Sequence, residues 1–576
     1  WGGFLLWYSG QPVFPAVLVK VWSVNSNPIG GPMTGRISIN GFIQMGGDLT
    51  AGPCIGPLIG RLAGNEIERR RVHRRSVHIA GIDDQCVLGR LQGRNVPRRV
   101  AGVPFFQFLQ NAAMYSLRAL FLQLLYAPGG GGDIIAYNGS GQAPKAATLE
   151  WFADRGIDEI GEHTPHTVTI PGAIDAWCRL LDDHGTKSIG EVLTYAIGYA
   201  RDGYPVHARV AFDWKRHKEL LEKDPTAKRI YLPGGKPPVA GSLHHQPELA
   251  ATLGKIADGG RDAFYTGAVA EDIVGLLQGL GGAHTMDDFA AAEGEYVDPI
   301  KASYRGHDVY QCPPNGQGVI ALLLLNILGP MGLDKLDPLS PERLHLCIEA
   351  SRLAYAERNA LVSDPEHVDV PVDRLLSAEF AAELGDKIIP TQAMDAPPPA
   401  ALPAASTVYL CVVDKDRNAV SFINSLFMSF GSGLVAPKTG VVLQNRGFSF
   451  NLDPAHANCI QPGKRPMHTI IPGMLVKDGQ TQMPFGMMGG QYQACGHAHL
   501  LTNLLDWDMD LQEALDMTRV FPDADDPEQR VQVESGLPEA VRAGLEALGH
   551  QTYIPGRPIG GGQAIWIDWQ QGVLRG

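Results

Sequence analysis

The sequence predicts an α+β protein built from packed helical and sheet layers. Three observations lead there. Helical and short strand patterns alternate between about residues 126 and 389. A Pro/Ala-rich break follows at 397–405. Beyond it the texture turns to β, with a hairpin from Thr407 and a helix after Asp510.

The first 125 residues differ from the rest. They hold 13 Lys and Arg against 5 Asp and Glu, in a chain of 576 residues with net charge −13. A basic run occupies Arg69 to Arg75, and neither helical nor strand periodicity is evident around it. Three readings fit this segment: a divergent N-terminal domain, a nucleic-acid-binding arm, or an out-of-frame translation. Its apolar start is broken by Gly10, Pro12 and Pro15 and lacks a charged beginning, unlike a secretory signal. The overall acidity argues against a general binder of phosphate surfaces. No apolar run reaches the roughly 18–20 residues that span a bilayer. The eight cysteines form no CxxC pair. They read as buried free thiols of a reducing compartment, which points to the cytoplasm, with the periplasm as the alternative.

Within 126–406, a helix is expected from Pro341, with Ser340 as its N-cap and Pro at the first helical position. Leu344, Cys347, Ile348, Ser351 and Tyr355 fall on one of its faces. The Pro/Ala-rich segment reads as an exposed linker, where a chain can be cut without unfolding. In 407–576, Thr407 to Val413 is rich in β-branched and aromatic residues. Asp414 to Asn418 turns the chain, and 419–426 returns as the second strand. Further strands are expected at 440–444 and 469–476, then, after a turn at Lys477 to Gln480, in a strand ending at Phe485. Asp510 and Glu513 mark the next helix start.

Ser406-Thr407, where linker meets strand, is ordinarily just a strand start. Breaking the bond between them changes its chemistry. Thr407 would gain a free amine of pKa near ~7.7–8.0, able to act as base for the hydroxyl of the same residue. Gly489-Gly490, at a strand end, would let backbone N–H groups approach a developing oxyanion, although paired glycines more often mark a plain turn.

With their neighbours these residues resemble the γ-glutamyltranspeptidase family. The resemblance rests on Thr407 and its strand, Phe430-Gly431-Ser432-Gly433, Gly463-Lys464-Arg465-Pro466 and Gly489-Gly490. Upstream it includes Ile170-Pro171-Gly172-Ala173, Pro313 to Gly318, and the helix from Glu349 to Arg358. It implies a four-layer α-β-β-α Ntn-hydrolase sandwich, made as a precursor and cut at Ser406–Thr407 into large and small chains that stay associated. It also implies Thr407 as nucleophile, Gly489 and Gly490 as oxyanion hole, and Ser425 as a hydroxyl bonded to the nucleophile. No metal or organic cofactor is implied.

The departures concern the substrate. Ser140 stands where the glutamyl enzymes carry the carboxylate-binding arginine, Phe427 replaces an Asn, and Ser449 replaces the Asp that holds the substrate amine. His468-Thr469 replaces a pair of serines. Losing charge-assisted contacts weakens glutamyl selectivity. Gln444-Asn445-Arg446-Gly447 looks more like the branch of cephalosporin-acylase-like and oxamate-amidohydrolase-like proteins. Arg446 is then the candidate anchor for an acidic small-molecule amide. The rival reading is a non-catalytic, uncut homologue, since 1–125 does not resemble the core strands that the family contributes there. Cys495, His497 and His499 lack a second ligand pair for a metal. His163, His166, His244 and His245 read as loop residues, and Gly129 to Gly132 as a turn.

Overall fold

Alternation along Tyr409 to Val413 sets the architecture. Leu410 and Val412 bury against one group of helices, whereas Tyr409, Cys411 and Val413 bury on the opposite face, against a second sheet. The computed structural model describes residues 121–395, 406–522, 526 and 528–576. In chain order its main strands are β1 (Phe121–Ala127), β2 (Ile135–Gly139), β3 (Glu295–Val297), β4 (Ile300–Tyr304) and β5 (His307–Gln311). They continue as β6 (Ser406–Val413), β7 (Ala419–Phe427), β8 (Pro472–Lys477), β9 (Gln480–Met488) and β10 (Gly561–Ala564). Two five-stranded antiparallel sheets result, ordered β3-β2-β1-β7-β6 and β10-β9-β8-β5-β4.

The sheets pack face to face over Leu125, Ala136, Tyr409, Ile423, Ile470, Met474 and Ile565. Gly486 permits this approach. A Cβ there would lie 2.3 Å from the Tyr409 ring of the opposite sheet. The Tyr409 hydroxyl meets Ser421 Oγ at 2.8 Å, and Ser421 reaches across to the Phe485 carbonyl at 3.1 Å.

Helices α1 (Ala173–His184), α2 (Ile189–Asp202), α3 (Pro247–Tyr265) and α4 (Ala268–Gly279) cover the first sheet. Helices α5 (Gly318–Leu328), α6 (Pro341–Leu361) and α7 (Tyr492–Asp506) cover the second. The protein therefore has the expected α-β-β-α order. Ser340 caps α6 as expected, its Oγ accepting the Arg343 N–H at 3.2 Å, and Asp510 caps the helix Leu511–Asp516. Among the described residues no helix is long and apolar enough to cross a membrane.

Several boundaries differ from expectation. β1 starts at Phe121 and crosses the division placed at 125/126, so the chain before Tyr126 supplies a central strand. Residues 440–444 form no sheet strand. They fold back on 432–436, with Ser432 N–H to Leu443 O and Ala436 N–H to Val441 O at 2.9 Å each. The strand expected at 469–476 begins only at Pro472, because Thr469 O and Ile471 N–H bind glutamine side chains. β9 runs past Phe485 to Met488 by pairing with β10. His244 is buried against Trp214 and Tyr231 in the short strand Leu243–His244, not in a loop. Of the cysteines, Cys178, Cys312, Cys411, Cys459 and Cys495 are buried free thiols, and Cys347 is half-buried. The basic run Arg69 to Arg75 and the linker at 397–405 lie outside the described residues.

Candidate active site

Thr407 shares the parity of Tyr409 and Cys411, so its side chain lies on the face toward the second sheet. It is half-buried beside a register shift between Ser406 and Thr407. Such a bulge re-aims a side chain at a strand end. Ser425 stands directly opposite Thr407 in the ladder, buried, with its Oγ accepting the Phe427 N–H at 2.8 Å. That bond fixes the backbone where Phe427 takes φ 76°, a left-handed conformation strained for an aromatic residue.

From the second sheet, β9 ends at Met488 and is followed by Gly489 (φ 129°) and Gly490 (φ 62°), with Gln491 as N-cap leading into α7. Among the described residues neither N–H binds a loop or cap carbonyl. The start of α7 carries a residue that motif reading passed over. Gln493 Nε2 lies 3.5 Å from Thr407 Oγ1, while the Gln493 backbone N–H donates to Gly490 O at 3.2 Å. Its Oε1 accepts the Ile471 N–H at 3.1 Å. The buried Gln493 side chain thus joins the threonine to the entry to β8, and its backbone N–H ties the same residue to the glycine loop.

The residues expected to touch substrate divide into two groups. Arg446 is fully buried, with its guanidinium 4.5 Å over the Phe427 ring and Nη1 3.3 Å from Thr469 Oγ1. Burial pushes its pKa down to about 9. Phe427 in turn pairs with Ser406 across the ladder. His468 is buried and kept neutral, its pKa held well below the usual value by burial and then by Arg446. It contacts Gln123 Nε2 at 3.2 Å. Arg446 and Phe427 thus stack at the end of the hairpin that carries Ser406 and Thr407, while His468 meets β1 through Gln123.

Ser449 and Ser140 serve other partners. The Ser449 hydroxyl binds the carbonyls of Arg446 and Met467 at 3.0 and 2.6 Å. That of Ser140 binds Asn138 Oδ1 at 2.6 Å and Asn315 Oδ1 at 3.2 Å. Both brace loops. Arg465 lies beside Ser140 O at 3.2 Å, but ion-pairs with Glu295 at 3.1 Å and Glu366 at 3.4 Å.

Cys495, His497 and His499 take separate partners in Ser351, Gln311 and Asn503. The described group able to meet at an ion is instead His345, Glu349 and His550, which sequence spacing did not single out. Its donors are committed internally. His345 Nδ1 binds His550 Nε2 and His345 Nε2 binds Ile389 O, both at 2.8 Å, and Glu349 holds Arg352 at 2.9 Å. A divalent ion there would leave a net positive charge in a buried site.

Comparison with known proteins shows the family and the fold. The sequence model of the gamma-glutamyltranspeptidase family matches residues 124–576. The chain belongs to that family. Within the γ-glutamyltranspeptidases, it is 37% identical over 455 residues to the glutathione hydrolase-like YwrD proenzyme of Bacillus subtilis, covering 76% of this chain and 84% of that one. It is 34% identical to the oxamate amidohydrolase proenzyme of Klebsiella pneumoniae, covering 73% and 80%. The crystal structure of cephalosporin acylase from Bacillus halodurans superimposes with TM-score 0.74 and 33% identity, covering 85% of this chain and 97% of that one. The family and its α+β Ntn-hydrolase fold are thereby established, as is kinship with hydrolases made as proenzymes.

Proposed function

We propose that this family member is an amide hydrolase or acyl-transferase that cuts itself between Ser406 and Thr407 and then uses Thr407 as nucleophile. The observation that supports this reading is Gln493, whose Nε2 lies 3.5 Å from Thr407 Oγ1 while its backbone N–H donates to Gly490 O. The freed α-amine takes the hydroxyl proton as Oγ1 attacks the substrate carbonyl. The oxyanion is held by glycine N–H groups at the start of α7, where the helix dipole also favours negative charge. Collapse breaks the C–N bond, and the ammonium returns its proton to the leaving amine. Water, or another amine, then attacks the ester and regenerates Thr407. The cut chains stay together because β7 of the small chain pairs with β1 of the large one, and β8 with β5.

The substrate reading is an amide with an acidic acyl group, γ-glutamyl or smaller, anchored by Arg446. The guanidinium stacks on Phe427, the ladder partner of Ser406, next to the bond that is cut. A carboxylate there would gain a charge-assisted bond.

Intact mass of wild type and Thr407→Ala tests the maturation. Two fragments split before Thr407, with an uncut variant, are expected. A single uncut wild-type chain would overturn the reading in favour of a non-catalytic homologue. Amine release from glutathione, oxamate and an acylated cephalosporin then tests the substrate class. Arg446→Leu should raise KM for acidic amides by about 10-fold or more, as expected when a charged hydrogen bond of ~1.5–3 kcal/mol is removed.

A further inference from the structure

Two adjacent glycines have wide backbone freedom, so an oxyanion loop built on them must be held from outside. In this molecule the holding group lies on α6. Arg358 is a fully buried cation whose forked guanidinium spans two glutamines: Nη1 donates to Gln317 Oε1 at 2.9 Å and Nη2 to Gln491 Oε1 at 2.6 Å. Its Nε and Nη2 also reach Asn359 Oδ1 at 3.0 and 2.9 Å. With its oxygen so engaged, the Gln317 amide points its N–H groups at the loop, approaching Gly490 O at 3.3 Å and Gln491 O at 3.5 Å. The same amide donates to Thr469 O at 2.9 Å. The Tyr355 hydroxyl donates to Gln491 O, and its ring lies 4.4 Å under Arg358.

We propose that Arg358, Gln317 and Tyr355 are positioning residues that set the Gly489-Gly490 oxyanion loop. The proposal rests on the acyl-enzyme reading above. The carbonyls of Gly490 and Gln491 are pulled toward α6. Holding the Gln491 carbonyl sets the Tyr492 N–H of the same planar peptide, which donates to Gly489 O at 3.2 Å. The Gly490 N–H, trans to that Gly489 carbonyl, is thereby turned the opposite way. Through Thr469 the same glutamine links the loop to Arg446, the candidate acyl anchor. Anchor and oxyanion hole are therefore fixed against each other, and neither Arg358 nor Tyr355 needs to touch substrate.

The test compares wild type with Arg358→Met, Arg358→Lys and the gentler Tyr355→Phe, on whichever of glutathione, oxamate and the acylated cephalosporin wild type hydrolyses. Arg358→Met should lower kcat by roughly 10–100-fold with KM within about threefold, the pattern of a misplaced transition-state donor. Arg358→Lys should recover only part, because an ammonium cannot bridge two acceptors as a planar fork does. Tyr355→Phe should lose roughly 3–10-fold in kcat at an unchanged melting midpoint, the scale of one neutral hydrogen bond. An unchanged kcat in Tyr355→Phe and in any Arg358 variant that folds would overturn the proposal, as would losses that appear in KM alone. Wild type inactive on all three amides would instead overturn the acyl-enzyme reading, and the positioning role with it.

Discussion

Helix α6 carries two buried polar clusters, and their connections diverge. Toward its N-terminal half, His345, Glu349 and Arg352 join His550 and the segment that leads to the linker, through Ile389 O and Met394. Toward its C-terminal end, Tyr355 and Arg358 join Gln317 and Gln491 beneath the glycine loop. Each cluster buries an arginine, yet only the second reaches the loop beside Thr407. Burial of charge alone therefore does not mark a catalytic group; what the charge holds in place does. Damage to the first cluster should appear as lost stability, and damage to the second as lost turnover.

The largest effect is expected at Glu349. Glu349→Ala leaves Arg352 buried without its ion-pair partner and releases the Met394 N–H, at a cost of about 3–5 kcal/mol. The melting midpoint should fall steeply, while kcat of the folded fraction stays within about twofold, since no transition-state contact is lost. A fall in kcat at an unchanged midpoint would erase the distinction between the clusters.

Gly489→Ala should do the reverse. At φ 129° an alanine is strained, and its Cβ would lie 2.6 Å from Ile559 O. Moving this proposed oxyanion donor should raise the barrier by about 2.7–4 kcal/mol, or 10²–10³ in kcat. The expected loss of melting midpoint is smaller than for Glu349→Ala. Kinetics and melts on the two variants together would show whether the two regions separate.

The same divergence explains what could be read in the sequence. The β6–β7 hairpin was legible because β-branched and aromatic residues flank an Asp/Asn turn, and Asp414 Oδ1 does hold that turn, accepting the Asp416 and Asn418 N–H groups. Ser340 and Asp510 were legible because a cap is a local event, three residues long. Thr407, Ser425 and Gly489 were legible only through resemblance, though strand parity then places the first two on one face. Gln493, Arg358, Gln317 and Gln491 were not. The bonds that tie them to one another, to the loop and to Thr407 join residues 41 to 174 apart in sequence, and no periodicity encodes such pairs. Residues 440–444 were misread because apolar alternation fits a loop that folds back on itself as well as it fits a strand.

A smaller effect concerns pH. Burial, then Arg352 and His345, lower the His550 pKa from 6.5 to about 3. The unfolded chain takes up this proton below pH 6.5 and the folded chain refuses it. The stability that neutral His550 confers is complete above pH 6.5 and declines as pH falls through the window toward 3. One linked proton contributes a slope of about 1.4 kcal/mol per pH unit. Melts of wild type between pH 7 and 5 should therefore decline more steeply than those of His550→Gln. Equal slopes would remove His550 from the account of the first cluster.

The smallest expected effect is at the start of α6. Ser340→Ala removes the acceptor of the Arg343 N–H, worth about 1 kcal/mol for a helix N-cap. Fraying is confined to the first turn, which lies next to His345 and nearly four turns from Arg358. Hydrogen exchange should quicken at Arg343 and Leu344 and stay unchanged at Tyr355 and Arg358, with kcat unaltered. Faster exchange along the whole helix, accompanied by a fall in kcat, would show α6 moving as one body. The two clusters would then be a single support for the catalytic loop, and the wiring of their side chains would matter less than the helix that carries both.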